Sequence, residues 1–524
     1  MMLSLFACGE DADGDSNVDG DTDTTAPDGD TEDIDGDADQ TDGDITDGDS
    51  SITDGDDDGS VADGDDETES AENSEEEVAE GTYLDPWTVM PSSELPPLRD
   101  WTIKKGIVHC HSPYSHDACD DEPFIEGVRN EVCFEDCRFG MCDTRQDFVF
   151  LSDHSTLYAD YEYPEVLLYK EGDTLIERNE MPVANRVDCG DGHNVIVSAG
   201  TETDMMPIGI EHHTGDTPEA RKAIYGSAKL EGETDNQARA RCIDVLHEAG
   251  AKVFLQHTEG WDIETILELD IDGLENYNLH QNLMDNMGAA IELAFKLEME
   301  PETLPEVEML LITVFQESDK DLERWSKTLA VKPMPAIVAT DAHRNTFDGI
   351  TPDGERLDSF RRMMHWFSNY VLVPQGETDD LIIKNAIAKG RMYNSFDYLG
   401  YPVGFDFHAE IGETVYEMGD NVPDGDITLK LTRPGIYKLN PNGPQPLFST
   451  RILKADAEGT WTEVASGEAD LSVTVGKGVY RAEVRMVPEH LRAWLGPEAD
   501  TYMNEMIWIY SNPIYVGMDY FDEE

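Results

Sequence analysis

The chain has 524 residues, with 36 Lys or Arg against 113 Asp or Glu and a formal charge of −77. That length allows about two or three domains with linkers. An acid excess this large excludes a surface that clasps the phosphate backbone of DNA or RNA, because that needs clustered cations.

The chain opens with Leu5-Phe6-Ala7-Cys8, which resembles a bacterial lipobox. The segment has no basic n-region and only a short apolar stretch. On this reading Cys8 carries a lipid, the protein is exported to the bacterial cell envelope or surface, and the anchor is its one contact with a membrane. Residues 1–80 hold 32 Asp or Glu and no Lys or Arg. Asp-Gly-Asp recurs, as at Asp13-Gly14-Asp15 and Asp63-Gly64-Asp65. Such a tract cannot form a core, and like charges extend it, so residues 9–80 are expected to be a disordered acidic linker. Calcium binding is the alternative, but the repeats lack a bidentate Glu at a fixed offset. No run of about 18 apolar residues occurs, so no spanning helix is expected.

Eight cysteines are present, four of them at 119, 133, 137 and 142. In an exported chain, two local disulfides are expected among these four, with three connectivities open. The spacing is not Cys-x-x-Cys, so it gives little support to a zinc site. Cys189 and Cys242 are left to pair or to stay as buried thiols.

From 100 to 400, short apolar runs end in metal-type residues. Gly106-Ile107-Val108 leads into His109-Cys110-His111, and Phe148-Val149-Phe150-Leu151 into Ser152-Asp153-His154. Val195-Ile196-Val197 leads to Glu202, and Val253-Phe254-Leu255-Gln256 to His257. Gly273-Leu274 precedes Glu275, and Ala336-Ile337-Val338-Ala339-Thr340 ends at Asp341-Ala342-His343. With Met392-Tyr393-Asn394-Ser395, about seven strands are expected. Helical patterns lie between them at 237–248, 261–269, 287–297, 306–328 and 381–389. Strands alternating with helices imply a parallel sheet, whose buried strands read as continuous apolar runs. In an α/β barrel the functional residues gather at the C-terminal strand ends, where these ligand types sit. Residues i and i+2 of a strand share a face, so His109 with His111, and Asp341 with His343, point together. Two imidazoles and a carboxylate can share one divalent cation. Among only 14 histidines, such a concentration at strand ends outweighs the ordinary fate of any one of them on the surface or in the core.

In order, these motifs resemble the polymerase-and-histidinol-phosphatase (PHP) family of metal-dependent phosphoesterases over about residues 103–408. The matching stretches are His109-Cys110-His111-Ser112-Pro113-Tyr114-Ser115-His116-Asp117, Leu151-Ser152-Asp153-His154, Ala199-Gly200-Thr201-Glu202 and Gln256-His257. They continue with Gly273-Leu274-Glu275-Asn276-Tyr277-Asn278, Ala339-Thr340-Asp341-Ala342-His343 and Ala388-Lys389-Gly390-Arg391-Met392-Tyr393. The resemblance implies a distorted seven-stranded α/β barrel holding two or three divalent metals (Zn, Mn or Fe). By position, His109, His111, Glu202 and Asp341 bind the first metal. His116 and His154 fall in neighbouring sites, and His213 (or His212), His257 and His343 complete the set. His116 stands where many relatives have Asp. Glu275 supports ligands rather than binding metal. Asp341 and His343 serve catalysis as well, and Arg344 and Arg391 are candidate phosphate contacts. The implied activity is hydrolysis of a small phosphorylated substrate, in which clustered metals lower the pKa of a water and clamp phosphoryl oxygens.

Residues 409–524 alternate in short strands, as in Ile427-Thr428-Leu429-Lys430-Leu431 and Leu471-Ser472-Val473-Thr474-Val475, split by turns such as Pro434-Gly435. A small β-sandwich-like domain is expected there, after a hydrolase barrel at 81–408. Two rival functions remain. One is an amidohydrolase-type C–N hydrolase, although Lys252 opens its strand instead of ending it. The other is a non-catalytic metal-binding surface protein.

Overall fold

A computed structural model describes residues 87–347 and 349–521. The lipobox at Cys8 and the acidic linker lie outside the described residues. The strands that carry the metal-type motifs form two parallel groups. In the first, β1 (Trp101–Val108), β2 (Phe148–Phe150) and β3 (Asn194–Ser198) pair in parallel, Gly106 opposite Phe148 and Phe148 opposite Ile196. In the second, β4 (Lys252–Leu255), β5 (Gly273–Asn278) and β6 (Ala336–Ala339) do the same. β2, β5 and β6 are buried along their whole length, as strands covered on both faces must be.

The two groups meet just past their C-terminal ends. Cys110 bridges Ala342 in parallel, and the His111 amide donates to the Ala342 carbonyl at 2.9 Å. The loops after β1 and β6 therefore run side by side. The groups belong to separate hydrogen-bonded sheets, and no closed seven-stranded ring occurs among the described residues. The Met392–Ser395 run, β8, is antiparallel to β7 (Ser368–Pro374), which in turn runs antiparallel to β1.

The helices follow local signals. Asp235–Glu248 starts from a capping box of Thr234 and Gln237. Met287–Met299 and Asp380–Ala388 lie where the periodicity places them. The 306–328 pattern instead breaks into a 3₁₀ turn at Val307–Met309 and a helix at Asp319–Leu329, because the Ser318 hydroxyl caps the latter by accepting from the Asp321 amide.

The last quarter continues the same architecture. Met506–Ser511 pairs with β8 on one side and Gly478–Val487 on the other, so its strands extend the sheet that contains β1. A second, four-stranded sheet is built from Asp406–Ile411, Thr414–Glu417, Ile427–Thr432 and Leu471–Val475. One apolar core runs through Leu151, Tyr277, Tyr393 and Trp508. The chain is thus a mixed α/β protein with one large mixed sheet and several small ones.

Two disulfides close, Cys119–Cys133 and Cys142–Cys189, while Cys110, Cys137 and Cys242 stay as buried thiols. Only one bridge joins two of the four clustered cysteines, because Cys142 reaches Cys189 on the neighbouring hairpin. Disulfides of this kind fit an oxidising, exported compartment. No helix among the described residues is long and apolar enough to cross a membrane.

Candidate metal centre

The centre lies past the C-terminal strand ends, where the backbone is bent to aim side chains inward. His109, His257 and Asp341 each follow a strand and adopt positive φ, at 72°, 46° and 55°. Such left-handed residues other than glycine cost about 1–3 kcal/mol each and cluster at functional sites. Gly200 serves the same edge by its size, since a Cβ there would sit 2.2 Å from the Leu151 carbonyl oxygen. Its absence lets 201–202 pair with 153–154, which puts His154 opposite Glu202.

His109, His111, Glu202 and Asp341 form one buried cluster. His109 Nε2 lies 3.0 Å from Glu202 Oε2 and 2.9 Å from Asp341 Oδ1. His111 Nε2 lies 3.0 and 3.2 Å from the same two oxygens, and 3.2 Å from His109 Nε2. A second cluster joins His111, Asp117, His154 and His343. Asp117 Oδ2 is 3.0 Å from His154 Nε2 and 3.1 Å from His343 Nε2, and the His343 ring stacks on that of His111.

The other ring nitrogen of each histidine is tied to an acceptor. His109 Nδ1 donates to Glu275. His111 Nδ1 donates to the Ser115 hydroxyl at 3.0 Å, which itself donates to Asp117 Oδ1 at 2.7 Å. His154 Nδ1 donates to the Glu202 carbonyl and His343 Nδ1 to the Asp341 carbonyl, both at 2.9 Å. A carbonyl only accepts, so the Nδ1 atoms of His154 and His343 carry hydrogens, and Nε2 is the nitrogen each turns to a carboxylate. Metal-binding histidines characteristically donate their other N–H to a carboxylate or carbonyl in this way.

This donor set fits divalent cations. Around an ion with bonds of about 2.0–2.1 Å, tetrahedral ligands stand about 3.3 Å apart, and the imidazole nitrogens of the first cluster lie 2.9 to 3.2 Å from each other and from the two carboxylates. Asp341 Oδ1 is buried and accepts no well-aligned hydrogen bond, although the rings of His109, His111 and His343 all approach it. The electrostatics also favour positive charge. Burial opposes the imidazolium of His343, but Asp117 and Asp341 outweigh it and lift its pKa to about 9. Burial likewise opposes charge on His109, and Asp341, Glu275 and Glu202 raise its pKa well above the ordinary value. Burial would lift Asp117, yet His343 and His154 hold it far below the carboxylate range.

The structure thus brings together His109, His111, His154, Glu202, Asp341 and His343. His257 joins them, its Nε2 3.1 Å from Glu202 Oε1. The remaining residues singled out in the sequence lie differently. His116 Nδ1 bonds the Thr156 hydroxyl at 2.9 Å, and its ring packs on His154. His213 uses both nitrogens elsewhere, on the Tyr225 hydroxyl at 3.0 Å and the Tyr161 carbonyl at 2.8 Å. Arg344 pairs with Asp136 at 3.0 Å. Arg391 pairs with Asp420 and lies over the Trp101 ring, at the start of β1 and so about 26 Å of strand away from His109. Glu275 holds His109 and also accepts from the His257 amide at 3.1 Å, a supporting position.

Two residues escaped the sequence reading. Asp117 adjoins His116 in the first motif, and only the turn geometry decides between them. His280, two residues past β5, brings Nδ1 to 3.6 Å from Asp341 Oδ2. A histidine just after a strand that already carried Glu275 was the available signal.

No family model and no curated protein matches the chain. Four solved chains show a distant likeness, two of them as follows. One is PsfC from Pseudomonas syringae PB-5123, at 12% identity and a TM-score of 0.28, covering 54% of this chain and 88% of that one. The other is a two-domain protein from Bacteroides vulgatus ATCC 8482 containing a predicted PHP-like metal-dependent phosphoesterase. It shows 12% identity and a TM-score of 0.27, covering 80% of this chain and 98% of that one. Likenesses of that extent carry neither fold nor activity across.

Proposed function

We propose that the chain is a metal-dependent hydrolase of phosphate esters. One cation is held by His109, His111, Glu202 and Asp341, and a neighbouring one by Asp117, His154 and His343. The carrying observation is the orientation of four imidazoles, each donating Nδ1–H outward while Nε2 converges on the buried Glu202 and Asp341 or the half-buried Asp117. Imidazole and carboxylate together suit Zn, Mn or Fe. The choice of phosphate esters rests on the ordered motifs that resemble the PHP family.

Divalent cations bound at such a centre polarise phosphoryl oxygens and lower the pKa of a water. The chain's own residues prepare that chemistry. Glu275 and Ser115 fix the tautomers of His109 and His111. Glu202 and Asp341 offset concentrated positive charge, and bound cations rather than the net charge of the chain set the local field for an anionic substrate. Arg344, beside His343, would have to leave Asp136 to reach a phosphate. The C–N hydrolase alternative finds less support, since Lys252 Nζ is bonded to Asp272 at 3.1 Å at the start of β4.

The test is metal analysis of the purified chain with assays on a generic phosphodiester, a phosphomonoester and an amide. Turnover of a phosphate ester that is lost in His109→Ala/His111→Ala, with the thermal melt retained, is the expected result. Cleavage of the amide alone, or wild-type turnover in the double variant, overturns it.

A further inference from the structure

The helix Met287–Met299 follows the short helix Leu279–Asp285 that leaves β5, and it is apolar on both sides. Ala290 and Leu293 are buried, and the half-buried Leu297 packs on the core beside them. Ile291, Phe295 and Met299 stand four residues apart, so they share the other face, and they are 45%, 54% and 61% exposed. Met284 on the preceding helix is 47% exposed as well. A helix that is apolar all round is ordinarily covered on every side, and a group of large apolar side chains left open marks an interaction surface. The helix carries one cation, Lys296, and it is taken, pairing with Glu292 at 3.0 Å and Glu498 at 2.8 Å.

We propose that this face docks on the surface of a zwitterionic lipid bilayer. Four side chains about half exposed, at about 200 Å² each, offer about 400 Å², short of the roughly 800 Å² per partner that a stable dimer buries. A second copy would also set its own Glu292 and Glu298 beside these, with Lys296 already held. A helix lying in a bilayer interface needs only one apolar face, sunk by about 5–10 Å. The path of the chain leads to the same place. Trp87, where the described residues begin, meets the Trp494 ring edge-on at 6.1 Å. The Trp494 carbonyl accepts from the Glu306 amide at 2.7 Å, and Glu498 grips Lys296. Residues 1–86 therefore join the folded part beside the C-terminal end of this helix, and on the lipobox reading they tie it to a lipid at Cys8. The acidic flanks select the headgroup. Anionic lipid would repel Glu292, Glu298 and Glu300, so apolar burial drives the contact, and salt leaves it in place. The inference goes beyond the metal-centre reading and does not depend on it.

The experiment floats the full-length chain with phosphatidylcholine vesicles, using Cys8→Ser as the parent so that no lipid anchors it. The run is repeated with a phosphatidylcholine–phosphatidylglycerol mixture and in salt of about 0.5 M, which screens exposed charges. The parent should bind phosphatidylcholine, keep that binding in salt, and bind the anionic mixture no better. Phe295→Gln/Met299→Gln should weaken partitioning by about 10-fold or more. Phe139→Gln/Leu230→Gln, at exposed apolar positions elsewhere, should change nothing. Thermal melts check that each variant folds as the parent does. Brominated phosphatidylcholine should quench the added fluorescence of Phe295→Trp but not that of Leu230→Trp. A parent that binds no vesicle overturns the proposal, as does equal binding in Phe295→Gln/Met299→Gln, or binding that needs anionic lipid and vanishes in salt. A dimer in analytical ultracentrifugation that Phe295→Gln/Met299→Gln dissociates gives the face to a second copy and overturns it too. Metal content of the same samples reports on the centre separately.

Discussion

Asp117 Oδ2 stands 3.1 Å from His343 Nε2, so the turn after β1 and the loop after β6 share one carboxylate. The same oxygen faces His154 at 3.0 Å, and its partner oxygen accepts from Ser115. His116, one residue earlier, instead bonds Thr156 at the rim. Asp117→Asn should weaken Mn²⁺ binding at this cluster by more than about 100-fold, beyond what loss of an outer partner costs. His116→Ala should change it little. Titration of the two variants beside wild type decides between them.

Glu275 accepts three times, from His109 Nδ1, the His257 amide and the Asn278 side chain. An amide cannot replace it, because its NH₂ would face a donor on one side or the other. Glu275→Gln should reduce metal affinity about 10–100-fold, the usual cost of losing a partner behind a ligand. Calorimetric titration with Mn²⁺ measures this, and an unchanged melt in chelator separates it from loss of the fold.

What the sequence made legible was local. A ligand type after an apolar run is written in neighbouring residues, so the grouping of His109, His111, His154, Glu202, His257, Asp341 and His343 could be expected one motif at a time. What it concealed depends on how turns are bent by distant contacts. That Asp117 rather than His116 faces His154 and His343 is set by the turn at 112–118, pinned where the Cys119 amide donates to the His343 carbonyl at 3.1 Å. His213 was attractive by order along the chain, but Tyr161 and Tyr225 occupy its nitrogens. The antiparallel placement of β7 was hidden too, since Ser368-Asn369-Tyr370-Val371-Leu372-Val373 reads alike in either direction. The continuity of the last quarter with the large sheet escaped for a related reason. Alternating strands say which face is apolar, not which sheet they join.

The two disulfides should differ in their worth. Cys142–Cys189 closes a separation of 47 residues and Cys119–Cys133 one of 14. Chain-entropy arguments put these at about 4 and about 3 kcal/mol. Cys142→Ser with Cys189→Ser should therefore lower unfolding stability by about 1 kcal/mol more than Cys119→Ser with Cys133→Ser. Urea unfolding of the two double variants, without reductant, measures the difference.

His490 offers a pH test outside the histidine–carboxylate clusters. Its ring is buried and Nε2 donates to the Leu399 carbonyl at 3.0 Å. Burial depresses its pKa from 6.5 to about 4, although the Leu399 carbonyl pulls the other way. Between those values the unfolded chain binds a proton that the native state refuses. Stability therefore falls as pH drops from about 6.5 to about 4, by about 3 kcal/mol from this group. His490→Gln keeps an N–H for Leu399 and does not titrate. Its stability should decline less than that of wild type across this window, by the same amount, and the two should run parallel above pH 7. Urea unfolding at a series of pH values provides both curves. Parallel curves through the acid window as well would show that His490 takes up its proton without leaving the fold.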